Sequence, residues 1–404
     1  MIYNTKSDSL GEWQAPTKIW NKMFVSIFFT NMMLNLGSQM SNNLLAKYAD
    51  YLGAPASQVG MLMSMFAVTA IISRFIASPA MDAFNRKYLV MCAIGLMSMT
   101  YIGFSLSRSV GMLMVFRLIQ GVGNACANAC CLAIASDVLP GDKFNTGIGY
   151  FSCAQVVSTA IGPTVALQVV KWFGYSTAFS INATVMAIAI LTATQVKPAP
   201  RTPRKFNLKP GSMIAKEALV PAAIVLSVAT GFTVINSLLI VYAGKRGVED
   251  GIGFFFTVYS LTLLVTRPAI GRLTERYGFV KIGIPAILVT AFSLAFIGFS
   301  TNLWMFLVVA FINAFGYGAL QPALQTLCVK SVPADRRGSA SSTYYIAYDA
   351  ATLVGPAVAG FVAQIAGYTP IMWVVMTIPL FFGILVAFFS RHSIDLIERR
   401  FSQN

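Results

Sequence analysis

The chain has 404 residues, of which 56% are hydrophobic and only 11% charged, with a formal net charge of +15 and a single His. A soluble domain carries roughly a quarter charged residues, so this balance excludes disorder, a collagen-like or disulfide scaffold, and an ordinary soluble enzyme. It describes a polytopic helical membrane protein whose surplus of positive charge needs its own account.

The polar opening segment up to Lys22 has neither a signal-peptide cleavage pattern nor a twin-Arg pair, so the first span is expected to act as its own insertion signal. Apolar runs of about 20 residues follow, the length a ~30 Å hydrocarbon core requires at 1.5 Å per residue. Twelve are read, over 22–46, 57–80, 88–107, 110–134, 145–170, 173–195, 219–243, 251–272, 281–299, 302–328, 338–364 and 369–390. The alternating ten-residue segments of a β-barrel are missing. The expected fold class is all-α, with twelve transmembrane helices.

With the N-terminus inside, most of the positive charge falls on cytoplasmic connections, including Arg86, Lys87, Lys143, Arg201, Arg204, Lys205, Arg272, Arg276, Arg336 and Arg337. The outside loops hold only Lys47, Arg108, Lys171, Lys245 and Arg246. This is the positive-inside bias, so the +15 reports orientation, with both termini expected in the cytoplasm. Nucleic-acid binding would need a basic face on a soluble domain, and no partner of that kind is expected. The six cysteines lie in or at the ends of spans and read as small packing residues.

Residues 196–218 form one clear linker, with three prolines in Lys197–Pro203 and six basic residues against one acid. It divides the chain into expected bundles at 1–195 and 219–404. The halves repeat. Arg74 with Asp82 matches Arg267 with Glu275, 193 positions on (267 minus 74). Pro140-Gly141-Asp142-Lys143 matches Pro333-Ala334-Asp335-Arg336, and Gly162-Pro163 matches Gly355-Pro356, at the same offset. Gly121 and Gly123 are aligned with Gly316 and Gly318, at 195 (316 minus 121). Two related six-helix halves around a central site are a physical basis for alternating access.

These repeated residues resemble major facilitator superfamily signatures over essentially the whole chain. Gly271-Arg272-Leu273-Thr274-Glu275-Arg276-Tyr277-Gly278 is similar to the family's G-x-L-x-D-R-x-G loop, with Glu275 for Asp. The first-half copy keeps Asp82, Arg86 and Lys87 without the glycines. Arg117-Leu118-Ile119-Gln120-Gly121 resembles the R-x-x-Q-G signature, and Gly149, Ser158 and Gly162-Pro163 resemble the Gly-rich antiporter motif. Small residues there permit close helix approach, and Pro163 frees a backbone carbonyl. The resemblance implies two six-helix pseudo-symmetric bundles in the bacterial inner (plasma) membrane and a monomer. It implies a gate at Arg74, Asp82, Arg86, Arg267, Gly271, Glu275, Arg276, Gly278, Gly162 and Pro163. Within the family, it points to the drug/proton antiporter-like efflux group.

Intramembrane charges are costly and mark function by default. Arg117 lies ~10 Å into span 4 from outside, and Asp349 ~17 Å into span 11 from the cytoplasm, at 1.5 Å per residue. Asp349 is the one acid well inside any span. A proton-coupled antiporter needs such an acid. Burial raises the pKa of an acid and a nearby Arg lowers it. Asp349 and Arg117 are therefore the proton-coupling candidates. Arg74 and Arg267 are read as snorkelling or gate residues. Helical spacing gives polar faces on the spans that line the family's cavity: Asn31 and Asn35, Gln120 with Asn124 and Asn128, Gln155, Asn236, Asn313 with Tyr317, and Tyr345.

The expected function is alternating-access transport of a small molecule, by proton-driven export of an organic or drug-like solute. An organic-anion importer or exchanger is the alternative. No nucleotide loop, zinc-protease, nucleophile-elbow or CxxC motif supports an enzyme. No catalytic residue, metal or cofactor is expected, and the proton gradient is the expected driving force.

Overall fold

The computed structural model describes residues 18–139, 144–196, 214–332 and 337–402. Of the linker, residues 197–213 lie outside the described residues. The side-chain surroundings of Asp82, Gly149, Arg267, Gly271 and Glu275 lie outside them too.

The first half comprises α1 (Lys22–Tyr51), α2 (Ala56–Ala83), α3 (Arg86–Leu106), α4 (Val110–Asp137) and α5 (Phe144–Thr194). A short 3₁₀ turn (Lys216–Ala218) leads into α6 (Leu219–Lys245), α7 (Phe254–Tyr277), α8 (Phe279–Phe299), α9 (Leu303–Lys330) and α10 (Arg337–Ala366). The chain ends in α11 (Pro370–Val375), α12 (Ile378–Phe389) and α13 (Arg391–Ser402). Side-chain caps start several helices. Asn21 Oδ1 accepts from Phe24 N at 2.9 Å, and Asn302 Oδ1 from Met305 N at 3.0 Å, satisfying donors the first turn leaves open.

Nine helices among the described residues are long and apolar enough to cross a membrane. That count takes the two helices of α5 together and leaves out α1 and α7. Expected spans 5 and 6 are numbered together as α5 but are two helices that meet in a kink at Gly174, whose φ of 80° lies in the left-handed region open to glycine. α1 is too polar to qualify, because Asn31, Asn35, Gln39, Asn42 and Asn43 interrupt it. α7 is apolar over Phe254–Thr266, and the side-chain surroundings of residues 267–269 lie outside the described residues. The last expected span, divided into α11 and α12, is one of the nine as Pro370–Phe389. Exposed Val265, Trp304 and Phe389 are suited to lipid.

The internal repeat governs element boundaries. α3 and α8 begin at Arg86 and Phe279 and end at Leu106 and Phe299, both 193 apart (279 minus 86; 299 minus 106). α4 and α9 keep the same offset at both ends. Gly174 has its counterpart in Gly367, which also has positive φ. Contacts repeat as well. A Cβ on Gly123 would meet the Ala93 carbonyl at 2.9 Å and Met97, and one on Gly316 would meet the Ala286 carbonyl at 3.0 Å and Thr290. The glycine equivalence is therefore Gly123 with Gly316, at 193, rather than Gly121 with Gly316. Periodicity along the chain alone had not separated two glycines in one turn.

Two seams join the halves: α2 along α10, and α5 along α7. At one end of the first seam the backbones touch. A Cβ on Gly60 would lie 2.3 Å from the Pro356 carbonyl oxygen and 2.9 Å from Gly360 Cα. On the second seam, a Cβ on Gly253 would lie 2.8 Å from Thr164 Cα, and Thr257 Oγ1 donates to the Ala160 carbonyl at 2.5 Å. Ion pairs Lys47–Glu249 (3.5 Å) and Asp50–Lys245 (3.1 Å) fasten this same end, and Lys171–Asp250 (2.8 Å) joins them. The Lys171 ammonium, by hydrogen bond and charge, holds the Asp250 carboxyl below its usual range. That pair is thus intact at neutral pH and is lost only as pH falls through the lowered value.

Close backbone contact makes Gly60 intolerant of bulk. Gly60→Leu is expected to cost roughly 1–3 kcal/mol, whereas Gly95→Leu stays near neutral, because nothing lies within 4 Å of a Cβ on Gly95. Thermal unfolding of the purified variants in detergent checks this.

Candidate functional site

Between the halves lies a cavity of about 640 Å³, lined from α1, α2, α4 and α5 on one side and α6, α7, α9 and α10 on the other. Its position is set by the closed end. The lining reaches Asn42, Arg117, Ser237 and Thr352 in one direction, and Met81, Ala133 and Ser341 in the other. The last turns of α1 and the first turns of α4 and α7, next to the ion-paired end, contribute nothing. The cavity is therefore displaced toward the face that carries the start of α1.

Among the described residues, the charged side chains lining the cavity are Arg74, Arg117 and Asp349. Arg74 and Asp349 meet across the α2–α10 seam. Arg74 Nε donates to Asp349 Oδ2, and Nη2 donates to Oδ1 at 3.2 Å. This fork-to-fork contact is the strong form of a charged hydrogen bond. The Arg74 guanidinium also lies over the Tyr345 ring, 4.7 Å from its centroid. Sequence reading had placed Arg74 at a helix end and Asp349 in the interior. The long Arg side chain closes that gap.

Arg117 has partners other than Asp349. It is 2% exposed, and Nη1 donates to Asn42 Oδ1 at 2.9 Å and to Gln120 Oε1 at 2.5 Å. The guanidinium lies 4.8 Å from the centre of the Phe66 ring, and Nε has no hydrogen-bond partner. Gln120 reaches back from Arg117 to Ser41 and Tyr101, at 3.4 and 3.3 Å.

The polar lining differs between the halves. Asn31, Asn35, Asn124, Asn128 and Gln155 line the first-half wall. Asn35 Nδ2 donates to Asn31 Oδ1 at 3.0 Å, and Asn128 donates to Asn124. Gln39 Nε2, also lining the cavity, donates to Thr159 Oγ1 at 2.5 Å. The second-half wall carries Asn236 and an aromatic group, Phe232, Tyr259, Tyr345 and Tyr348. Three expected cavity residues stand behind the lining. Gln120 braces Arg117. Tyr317 stacks on Phe232, with ring centres 4.0 Å apart. Asn313 is fully buried, and its side-chain atoms have no partner. Phe232 and Phe66 were missed, because an isolated Phe in an apolar span carries no signal of facing a cavity.

The expected gate residues are spread out. Arg86 donates to Asp137 at 2.8 Å, tying α3 to α4 within the first half. Gly162 packs on α1, 3.0 Å from Gln39 Cβ by its ideal Cβ position, and Pro163 follows it inside α5. Gly278 has φ 84°, and beside it Glu398 of α13 accepts from Phe279 N at 2.8 Å. Arg276 is exposed, over the Tyr277 ring. Burial raises the pKa of Glu398.

A family profile described as Major Facilitator Superfamily matches residues 27–250 and 221–396. The chain belongs to the Major Facilitator Superfamily. A superfamily member is a secondary-active transporter of a small solute and not an enzyme. Relatives include an uncharacterized MFS-type transporter, YhhS, of Escherichia coli K12. It is 24% identical over 356 residues, covering 86% of this chain and 87% of its own. Multidrug resistance protein 1 of Bacillus subtilis is 21% identical over 380 residues, covering 90% and 95%. Among solved structures, a bacterial homolog of the lysosomal transporter Spinster, inward-facing and occupied, superposes with a TM-score of 0.76 at 13% identity, covering 93% and 97%. That likeness shows the superfamily fold.

Removing one member of the Arg74–Asp349 pair leaves the other charge unpartnered inside the bundle. Asp349→Ala and Arg74→Ala are each expected to lower stability by about 3 kcal/mol, with the double variant recovering most of it. A double-mutant cycle in thermal or denaturant unfolding measures the coupling.

Proposed function

We propose that this superfamily member exports a small organic or drug-like solute in exchange for protons, with Asp349 as the proton-carrying acid. The observation that supports this most directly is the Arg74–Asp349 pair. It bridges the two halves at the cavity, in a form whose far end is closed by Gly60–Gly360 packing and ion pairs. The positive-inside reading makes the open face cytoplasmic. A deprotonated Asp349 in that form is paired with Arg74. Solute enters from the cytoplasm, the bundle rearranges, and a proton taken up from outside neutralises Asp349 and frees Arg74. Resistance-protein names among the relatives agree with export. The exact repeat offset supports the division into two six-helix bundles at 1–195 and 219–404, acting as a monomer in a bacterial inner membrane.

The decisive experiment is transport in proteoliposomes under an imposed pH gradient. Uphill solute movement is expected only when protons run the other way, with Asp349→Asn retaining downhill exchange and losing the gradient response. Full proton-driven transport by Asp349→Asn would remove the acid from this role. Anion-for-anion exchange indifferent to pH would favour an organic-anion exchanger, a reading that the uncompensated Arg117 favours.

Alternating access also requires the ion-paired end to separate. Cysteines replacing Asp50 and Lys245, joined by a short bismaleimide, are expected to stop turnover by at least about tenfold, while the unlinked double variant still transports. Transport assays before and after linking give the comparison.

A further inference from the structure

We infer that the cavity takes small organic anions with a flat, unsaturated body, and that Arg117 holds the anionic group. This rests on the reading of the cavity as the solute site and names the class of solute. The charge balance comes first. Of the three charged side chains that line the cavity among the described residues, Arg74 and Asp349 neutralise one another through two hydrogen bonds. That leaves the cavity with one net positive charge, on Arg117.

The surroundings of Arg117 come second. A guanidinium has five donors. Its partners here are two neutral amide oxygens and a ring face, and Nε has none although the residue is 2% exposed. A cation held this deeply without a carboxylate has both charge and donor capacity to offer an anion. The same charge repels an organic cation.

The opposing walls come third. Around Arg117 the first half presents amides, including Asn42 and Asn124, whose Oδ1 atoms accept from Arg117 and Asn128 and whose NH₂ groups are donors suited to an anion's oxygens. The second half presents Phe232, Tyr259, Tyr345 and Tyr348, faces on which a planar body can rest. A volume of about 640 Å³ lies inside the range of small-ligand sites.

The test uses the purified full chain in detergent at neutral pH and three isosteric probes: 2-naphthoate, 2-naphthamide and 2-naphthylmethylammonium. Calorimetric titration is expected to show naphthoate binding at least about tenfold more tightly than either other probe. Arg117→Gln should erase that preference, while Arg117→Lys, keeping the charge and losing the fork, should retain part of it. Phe232→Ala should weaken all three. The probe series on the unmodified protein stands even if a variant fails to fold. Equal or tighter binding of the ammonium probe, binding of none of the three, or an unchanged naphthoate preference in Arg117→Gln overturns the inference. No gradient is applied, so naphthoate binding by a protein that fails to couple protons would sink the export mechanism and leave the solute class standing. The reverse result would do the opposite.

Discussion

A carboxylate inside an apolar bundle is costly unless a cation satisfies it, and the Arg74–Asp349 contact is where this molecule meets that demand. The pair needs α2 and α10 side by side yet far enough apart to hold two side chains between them. Glycines set that spacing. Backbone touches backbone at Gly60 and Gly360, and farther along the same seam the helices are bridged by side chains instead. The cavity occupies the room so made. Its lining charges, its amide wall and its displacement toward one face follow from a seam that is tight at one end and ionic in the middle.

Much of the fold was legible in the sequence because membrane physics leaves few choices. Runs of apolar residues at bilayer length gave the helices to within a few residues, and the 193-residue repeat read in the sequence recurs in the boundaries of α3 with α8 and α4 with α9. Apolarity alone undervalues a helix that faces a polar cavity, as α1 does with its asparagines, and the two helices of α5 meet at the Gly174 kink.

The site was less legible. Depth can be read along a helix, but the direction in which a side chain points across the bundle cannot. Asp349 and Arg117 stood out by depth, yet the partner of Asp349 came from α2, 275 positions away and nearer a helix end. The polar stripe on α9 pointed to Tyr317, whereas the cavity sees Phe232 stacked in front of it. Gln120 was found by its spacing from Arg117 on one helical face, and its place is to brace Arg117 from behind.

The repeat also shows where the halves have diverged. Under the 193-residue offset the α2–α10 seam corresponds to the α7–α5 seam, and the counterpart of Asp349 is Val156 (349 minus 193), a buried apolar residue. The second seam is held by hydroxyls and close backbone, through Thr164, Thr257 and Gly253. The ion pair that bridges the cavity thus lies on the α2–α10 seam, while that of the other seam, Lys171–Asp250, stands at its exposed end. Helix boundaries repeat at the 193-residue offset, but the cavity-bridging ion pair does not.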